Sequence, residues 1–381
     1  MSSSTGKINI NNSAPSAQTY NASDWIINTA FLPNGEVAFA SKDGATFLPS
    51  NESSACDVWS KTEQVSESLV PVNPWSTVTS DGCTPLREGH YRGVDCVVFI
   101  PNGRWVVSAS ADCTITLWST KTNKPVHSLI GHRRKVTSIA PSSDGKWLVS
   151  GSDDCTMRLW SLTSPGWSRI LCEVKSAITC VAFSLGEKYI VCGMNDGTII
   201  LSGKDGYIVR TLIGHDKKVN SLAFTPDGKF MISGSDGFNL IQWSIETGEY
   251  SYFNSSSYKP NWIKCAAFTP DGQLVSGSND NTLLVWSREG NVVKTLTGHE
   301  GYVSCIAVSL DGKFLASGSS DRTIIIRSTE TWEVLNTLKD VGVVTSVAFS
   351  PNGQFLVSGF EGSSCLDDTI KIWTIPTSVN E

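Results

Sequence analysis

The segment VNSLAFTPDGKFMISGSDGFNLIQW (residues 219–243) decides the fold, because its pattern returns throughout the chain. Residues 136–160 read VTSIAPSSDGKWLVSGSDDCTMRLW and share its apolar positions, its turns and its closing tryptophan. Laying the chain against itself gives seven such units, which close at residues 118, 160, 201, 243, 286, 327 and 373. The steps between these positions are 42, 41, 42, 43, 41 and 46 residues, and a nearly fixed period of this size indicates a repeat architecture.

Within each unit the apolar residues recur with a period of two, which predicts β-strands. In four of the seven units the first apolar run ends at a Pro-Asp-Gly or Pro-Asn-Gly turn, and in three of the seven a Gly-Ser-x-Asp turn separates the second run from the third. Glycine suits such hairpin turns because it tolerates positive φ. Each unit therefore predicts a four-stranded antiparallel meander. One such sheet cannot bury both of its faces, but a closed ring of them can.

The chain resembles the WD40 repeat family over about residues 86–374, and more weakly over residues 24–59. Besides the closing tryptophan, two motifs carry the resemblance: a Gly-His pair before the first strand and an aspartate six residues before the tryptophan. They occur as Gly89-His90, Gly131-His132, Gly214-His215 and Gly298-His299, and as Asp112, Asp154, Asp280 and Asp367. The resemblance implies an all-β propeller of four-stranded antiparallel blades. The residue after the tryptophan is Ser or Thr, never the family's Asp, which argues against a ubiquitin-ligase substrate adaptor.

The number of blades depends on which segment completes the last unit, because that unit ends with its third strand near Trp373. In an eight-bladed ring, residues 7–10 (Lys7 to Ile10) supply the missing strand and residues 24–59 form a divergent first repeat. In a seven-bladed ring, residues 85–88 supply it and residues 24–59 remain as an orphan meander. Eight blades are favoured, with seven as the alternative, because orphan strands carry unpaired edges.

The corresponding domain organisation has one large domain between two short ends. A polar N-terminal segment covers residues 1–23, and a short tail covers residues 378–381. The propeller covers residues 24–377 and comprises the divergent repeat 24–59, an excursion at 60–84 without clear periodicity, and the seven clear repeats at 86–374.

Two units carry a full set of His, Ser, Asp and Trp at matching positions: His90, Ser108, Asp112 and Trp118, then His132, Ser150, Asp154 and Trp160. The resemblance implies that each set is a structural tetrad, a buried hydrogen-bond chain that fastens the loop before the first strand to the third strand. A catalytic Ser-His-Asp site is normally unique, whereas this set recurs. The unit at 178–201 has Cys192 and Leu201 in place of Ser and Trp, which makes it a candidate for local weakness.

The sequence predicts no enzyme, no cofactor and no metal site. Of the five histidines, four lie in Gly-His pairs and only His127 remains, so general bases and metal ligands are scarce. Walker A, dinucleotide-binding and nucleophile-elbow motifs are absent from the sequence. A hydrolase or isomerase built on a propeller is the least favoured alternative.

Composition indicates a folded chain, with 40% hydrophobic and 17% charged residues. The net charge of −6 disfavours nucleic acid as a partner. Of the 11 cysteines, four recur at one repeat position and read as small core residues: Cys96, Cys180, Cys265 and Cys305. The sequence shows neither a signal peptide nor a membrane-spanning run, so we expect no membrane insertion and a cytoplasmic or nuclear location.

The loops that precede each first strand form the expected interaction surface, because loops on a rigid scaffold commonly carry function. Their charges give an acidic protein a basic arc with neighbouring aromatic residues. The candidate partner-binding residues are Tyr91, Arg92, Arg133, Arg134, Lys135, Lys175, Lys217, Lys218, Lys259, Trp262 and Tyr302. We therefore expect a monomeric propeller that works within a complex as a protein-interaction scaffold, with acidic or phosphorylated segments as ligands. Binding of nucleic acid or phosphoinositide by this arc is the alternative, and a solvated rim without partner preference also remains open.

Overall fold

The structure is a computed structural model that describes residues 26–31, 37–41, 44–48, 83–86, 89–164, 166–237, 240–253, 262–339, 342–361 and 370–375. The chain divides into two compact units, residues 1–69 with 161–167 and residues 70–160 with 168–381. In the first unit three strands form an antiparallel sheet in chain order: β1 (Ile26–Phe31), β2 (Val37–Ser41) and β3 (Gly44–Leu48).

The second unit contains seven four-stranded antiparallel sheets, numbered here as blades 1 to 7. The strand β4 (Cys83–Leu86) precedes them in the chain. Blade 1 contains β5 (Val94–Phe99), β6 (Trp105–Ser110), β7 (Thr114–Ser119) and β8 (Pro125–Ile130). Blade 2 contains β9 (Val136–Pro141), β10 (Trp147–Ser152), β11 (Thr156–Ser161) and β12 (Ser168–Glu173). Blade 3 contains β13 (Ile178–Phe183), β14 (Ile190–Met194), β15 (Ile199–Ser202) and β16 (Ile208–Leu212).

The remaining blades repeat this order of strands. Blade 4 contains β17 (Val219–Phe224), β18 (Phe230–Ser235), β19 (Leu240–Ser244) and β20 (Tyr250–Tyr252). Blade 5 contains β21 (Ile263–Phe268), β22 (Leu274–Ser278), β23 (Leu283–Trp286) and β24 (Val292–Leu296). Blade 6 contains β25 (Val303–Val308), β26 (Phe314–Ser319), β27 (Thr323–Ser328) and β28 (Val334–Lys339). Blade 7 contains β29 (Val343–Phe349), β30 (Phe355–Glu361), β31 (Ile370–Thr374) and, as its fourth strand, β4.

The expectation of eight blades is wrong, because β4 completes the last blade and the ring closes with seven. Ile370 pairs with Leu86 and Trp373 pairs with Cys83, so the closing strand lies two residues upstream of the segment 85–88 named for a seven-bladed ring. Blade 7 then bonds directly to blade 1, where Thr345 Oγ1 donates to the Val94 carbonyl at 2.5 Å. The strands β1 to β3 pair with one another instead of joining the ring, and residues 7–10 lie outside the described residues.

Neighbouring blades approach closely at a glycine near the end of the second strand, which is present in blades 2 to 7, whereas blade 1 has Ala109. A Cβ on Gly151 would lie 2.3 Å from Ile178 Cγ2 of the next blade, and one on Gly318 would lie 2.4 Å from Val344 Cγ1. A Cβ at these positions would require the neighbouring strand to shift. Glycine is therefore favoured here in blades 2 to 7, because each first strand packs against the second strand of the blade before it.

A ring of hydrogen bonds joins the first strands of successive blades. A side chain near the start of the first strand donates to a backbone carbonyl at the start of the first strand in the next blade, as Thr137 does to Ile178 at 2.6 Å and Asn220 does to Ile263 at 2.8 Å. Thr179 to Val219, Ser304 to Val344 and Thr345 to Val94 follow the same rule. Two charged residues occupy the remaining places in this ring, Asp95 in blade 1 and Lys264 in blade 5.

Helical structure contributes little to the part of the chain that the structure describes. One 3-10 turn spans Leu185–Glu187 in blade 3. Among the described residues, no helix has the length and apolar character needed to cross a membrane.

Candidate interaction surface

The loops before the first strands and the turns between second and third strands lie at the same end of the blades, because alternate connections of a meander share an end. In blade 1 a hydrogen-bond chain ties these loops to the sheet. His90 Nδ1 lies 2.9 Å from Asp112 Oδ2, and His90 Nε2 lies 2.7 Å from Ser108 Oγ. Trp118 Nε1 donates to the same Ser108 Oγ at 2.7 Å, so the chain runs from the loop through the second strand to the third.

Blade 2 repeats this chain and adds a link to the basic loop. His132 contacts Asp154 at 2.9 Å and Ser150 at 2.7 Å, and Trp160 Nε1 donates to Ser150 at 2.8 Å. Asp154 Oδ2 also accepts the backbone N–H of Arg133 at 2.8 Å. The aspartate therefore fixes the position from which the Arg133 side chain extends.

The electrostatics of the hydrogen-bond chain in blade 2 favour a neutral His132 beside an ionised Asp154. Burial lowers the pKa of His132 despite the neighbouring Asp154. Burial alone would raise the pKa of Asp154, but hydrogen bonds from Thr156, from the Arg133 backbone and from His132 lower it to about 2. A neutral imidazole with its proton on Nδ1 donates to the carboxylate and leaves Nε2 to accept from the serine. The arrangement is a structural brace, and it occurs in more than one blade.

Blade 6 contains a third brace that the sequence analysis did not single out. His299 lies 2.9 Å from both Asp321 Oδ2 and Ser317 Oγ. Arg327 takes the place of the tryptophan, is 5% exposed, and donates to the carbonyls of Trp332, at 3.1 Å, and Thr297. The signal for Asp321 was present, since it lies six residues before Arg327, but the missing tryptophan hid it.

Blade 4 holds an incomplete brace. His215 Nε2 lies 2.6 Å from Ser233 Oγ, and Trp243 Nε1 donates to that oxygen at 2.7 Å. Gly237 stands where the aspartate would be, so the buried His215 Nδ1 has no hydrogen-bond partner among the described residues. Desolvation by burial, only partly offset by Asp216, lowers the pKa of His215 from 6.5 to about 4.

Blades 3, 5 and 7 have fewer of these hydrogen bonds. Trp286 donates to Ser276 in blade 5 and Trp373 donates to Ser358 in blade 7, each at 2.8 Å. In blade 3, Cys192 and Leu201 are fully buried among apolar neighbours instead. Apolar packing replaces the hydrogen bonds there, and the proposed local weakness of this blade remains a prediction.

Several of the candidate partner-binding residues are exposed cations on adjacent loops. Among the described residues, no ion pair or side-chain hydrogen bond involves the charged groups of the following five: Arg133, Arg134, Lys175, Lys217 and Lys218. We name these five residues the basic arc. All of them belong to the loops that lead into blades 2, 3 and 4, and Lys218 alone is half-buried.

Aromatic side chains flank the basic arc in the neighbouring loops. Tyr91 is 64% exposed and its hydroxyl donates to the Asp112 carbonyl at 3.3 Å, while Arg92 lies 6.0 Å from its ring centroid. Trp262 and Tyr302 are also exposed, in the loops that lead into blades 5 and 6. Exposed aromatic and arginine side chains are frequent anchors of protein interfaces.

Lys135 belongs to the same loop as Arg133 but is engaged within the protein. Its Nζ lies 2.6 Å from Asp95 Oδ1. Burial raises the pKa of Asp95 to about 6 despite this ion pair. The other Asp95 oxygen is buried without a hydrogen-bond partner among the described residues. Lys135 therefore forms an ion pair between blades 1 and 2.

Lys264, in the first strand of blade 5, forms a second ion pair between neighbouring blades, which charge counting over the loops missed. It lies 2.8 Å from Asp236 and 5.0 Å from the centroid of the Trp262 ring. Lys259 lies outside the described residues. No cluster of three or more His, Cys, Asp or Glu that could hold a metal occurs among the residues with described positions.

Comparison with known proteins agrees with this geometry. The family model described as "WD domain, G-beta repeat" matches residues 83–119, 123–161, 169–201, 206–244, 254–287, 290–328 and 332–374. The chain is similar to guanine nucleotide-binding protein subunit beta of Zea mays, with 36% identity over 104 residues, which cover 25% of this chain and 27% of the relative. It is also similar to nuclear distribution protein PAC1 of Arthroderma otae, with 28% identity over 132 residues that cover 29% of each chain.

A third relative is apoptotic protease-activating factor 1 of Mus musculus, at 33% identity over 100 residues that cover 26% of this chain and 8% of the relative. The chain thus matches less than a third of the length of each of these relatives. The matched family model, in contrast, recurs seven times and covers every blade. The resemblance seen in the sequence is confirmed, and the chain belongs to the WD40 repeat family as a seven-bladed propeller.

Proposed function

We propose that this protein is a non-catalytic scaffold that binds an acidic or phosphorylated segment of a partner protein through the basic arc. The observation that carries the proposal is a set of cations on adjacent loops of a braced propeller, whose charged groups have no partner among the described residues. Free cations on a fixed frame favour an anionic ligand, because little conformational entropy is lost when the ligand binds.

The arc suits carboxylate or phosphate better than a neutral surface. Arg133 and Arg134 each offer a planar guanidinium, which can form paired hydrogen bonds with an anionic group. Asp154 holds the Arg133 backbone at 2.8 Å and Ser152 Oγ donates to the Arg134 carbonyl at 3.1 Å. The two arginines therefore project from a loop that is fastened at two consecutive residues.

The names of the relatives support action within assemblies. The maize relative is named a subunit, which places that protein in a larger complex. Tyr91, Trp262 and Tyr302 give this chain exposed aromatic anchors beside the arc, as an interface with a protein requires.

The test is a charge reversal that spares the structural lysine. The variant Arg133→Glu/Arg134→Glu/Lys175→Glu/Lys217→Glu leaves the Lys135–Asp95 ion pair intact. The control, Arg104→Glu/Lys121→Glu/Lys124→Glu/Lys146→Glu, makes the same change of charge at exposed positions on the opposite end of blades 1 and 2. We expect specific partners that co-purify with the wild type and the control to be lost with the first variant, by at least about tenfold.

Identical partners for all three proteins would refute the proposal, and the arc would then be a solvated rim. Nucleic acid or anionic lipid in place of a protein partner would identify the alternative. Binding to nucleic acid would also fall steeply as salt increases.

A further inference from the structure

A cleft opens between blades 4 and 5 at the end of the propeller opposite the basic arc. Its volume is about 440 Å³, which lies within the range of small ligand sites. Four large apolar side chains are part of its lining, and we name them its floor: Phe230 and Phe253 from blade 4, and Phe268 and Leu274 from blade 5. All residues that line it are among those the structure describes.

At this cleft the first turn of blade 5 is one residue shorter than its counterparts. In six blades the backbone N–H that begins this turn donates to the backbone carbonyl of an aromatic residue five positions later, as Thr225 does to Phe230 in blade 4. In blade 5 the Thr269 N–H donates to Gln273, four residues on, at 2.8 Å. The aromatic residue of the repeat is missing there.

At several other pairs of neighbouring blades these turns contact each other. A Cβ on Gly228 of blade 4 would lie 2.9 Å from Leu185 of blade 3, and one on Gly312 of blade 6 would lie 3.1 Å from Pro270 of blade 5. A Cβ on Gly272 of blade 5 would meet the side chain of Arg288, from its own blade, as its three nearest atoms. The turn of blade 5 therefore makes no such contact with blade 4 at Gly272.

One polar side chain lines this cleft where every other blade has an aliphatic one. Gln242 precedes the closing tryptophan of blade 4, and its counterparts are Leu117, Leu159, Ile200, Val285, Ile326 and Ile372. Gln242 is half-buried, and its amide makes no hydrogen bond with any described residue. A free amide beside an apolar floor is suited to a peptide backbone, which offers both a donor and an acceptor.

The charged side chains around the cleft give it an excess of negative charge. Asp227 and Asp271 belong to the two turns, and Arg288 lies beside Asp271, donating to its carbonyl at 3.1 Å. Each aspartate uses Oδ1 to cap its own turn, as Asp227 does for Thr225 at 2.5 Å. The net charge of these three groups is −1, which favours a basic ligand over an acidic one.

From these observations we propose that the cleft is a second binding site, which takes a peptide segment with one large apolar side chain and an adjacent lysine or arginine. The apolar side chain occupies the phenylalanine-lined floor. The amide of Gln242 pairs with the peptide backbone, and the basic residue faces Asp227. This site is separate from the basic arc and has the opposite preference for charge.

The test uses three fluorescein-labelled synthetic peptides and anisotropy titration on the full chain. The probe is Gly-Ser-Lys-Phe-Lys-Ser-Gly, one comparison peptide has Ser for Phe, and the other has Glu for both Lys. We expect saturable binding of the probe with a dissociation constant below about 1 mM. We also expect at least about tenfold weaker binding of each comparison peptide, since one loses the apolar anchor and the other reverses the charge.

Two substitutions then locate the site. Gln242→Leu restores the aliphatic residue of the other blades, so we expect the fold to persist and probe binding to fall at least about tenfold. Asp227→Asn keeps the turn cap and removes the charge, and we expect about threefold weaker binding. Asp311→Asn is the matched control in blade 6, where Ser309 Oγ donates to Asp311 at 2.6 Å in the same turn.

No saturable binding of the probe up to about 1 mM, or equal binding of the Glu peptide, would overturn the proposal. Unchanged binding to Gln242→Leu would also overturn it. The charge-reversed variant of the basic arc should bind the probe like the wild type, so failure of one site is distinguishable from failure of the other.

Discussion

Blades 2 and 4 have the same strand order but hold their loops in different ways. In blade 2 both nitrogens of His132 have partners, whereas in blade 4 only Nε2 of His215 has one among the described residues. Both loops share one anchor, a serine hydroxyl that donates to a loop carbonyl at 3.1 Å, Ser152 in blade 2 and Ser235 in blade 4. Only blade 2 adds the bond from the Arg133 N–H to Asp154.

The comparison indicates that the propeller does not need a complete brace in every blade. Apolar packing and the ring of hydrogen bonds between first strands hold blade 4 in place, with Val219 and Trp243 buried in the core that it shares with blade 3. The extra bonds of blade 2 therefore bear more on how firmly its loop presents Arg133 than on whether the blade forms.

The largest expected effect is the removal of the aspartate from blade 2. Asp154→Ala leaves His132 Nδ1, two backbone N–H groups and the Thr156 hydroxyl without their acceptor. We expect the free energy of unfolding to fall by about 3 kcal/mol in urea titrations, because several partly buried polar groups lose partners together. Asp153→Ala is the control on the adjacent residue and should change stability by less than about 0.5 kcal/mol. A loss below about 1 kcal/mol for Asp154→Ala would mean that the brace adds little stability.

The second effect is a dependence on pH that originates in blade 4. The pKa of His215 is about 4 in the folded state against 6.5 ordinarily, so between these values the unfolded chain binds the proton more readily. The contribution of His215 to stability is therefore fully present above pH 6.5 and is lost as pH falls. Between pH 7 and pH 5 we expect the wild type to lose about 2 kcal/mol more stability than His215→Gln. If urea unfolding shows that the wild type and His215→Gln lose the same stability between pH 7 and pH 5, the histidine is not protected from protonation.

Sequence reasoning worked best where the period carried the information. The spacing of apolar residues, turns and closing positions located seven units, and the WD40 resemblance followed from those residues. The prediction of eight blades was wrong. It relied on unpaired strand edges and assumed that residues 24–59 needed partners in the ring. Their strands β1, β2 and β3 pair with one another, which no periodicity could show.

The surface was harder to predict than the fold, because pairing between charges depends on distance in space. The sequence predicts Lys135 as a partner-binding residue, yet Asp95, which forms an ion pair with it, lies forty residues earlier in the chain and one blade away. The shortened turn of blade 5 is visible in an alignment of the repeats. That it leaves a cleft follows only from the spacing between blades 4 and 5.

A smaller effect on stability is expected at Asp95, in the contact between blades 1 and 2. Thr179 links blade 3 to blade 4 by donating to Val219, but the corresponding residue between blades 1 and 2 is Asp95, which lacks a donor when ionised. Asp95→Thr should raise the free energy of unfolding by about 1.5 kcal/mol at pH 7, because it removes a buried carboxylate and restores the hydroxyl.

The same variant should lose its advantage at acidic pH. The pKa of Asp95 is raised to about 6, so the wild type gains stability as pH falls through that value towards 3.8 and the carboxyl group takes up its proton. Urea unfolding at pH 7 and pH 5 measures both parts of the prediction. A gain of the same size at both values would show that the charge of Asp95 is not the cause.

The smallest effect is expected from completing the brace of blade 4. Gly237→Asp places a carboxylate at the position that Asp154 occupies in blade 2, where Asp154 Oδ2 lies 2.9 Å from His132 Nδ1, and His215 Nδ1 has no hydrogen-bond partner among the described residues. The new Cβ would lie 2.6 Å from Asp216 Oδ1, the end of an exposed and flexible side chain that can rotate away. We expect a gain of about 1 kcal/mol in the free energy of unfolding. The pKa of His215 should rise at the same time, so that the stability lost between pH 7 and pH 5 shrinks.

Gly237→Ala separates the new hydrogen bond from the loss of glycine flexibility, since alanine restricts the unfolded chain without offering an acceptor. If the two substitutions give the same gain and leave the pH dependence unchanged, the gain comes from the unfolded chain and His215 Nδ1 remains unpartnered. If only the aspartate raises the pKa of His215, the difference between blades 2 and 4 reduces to one side chain. Firm presentation of a loop could then be moved from one blade to another by a single substitution.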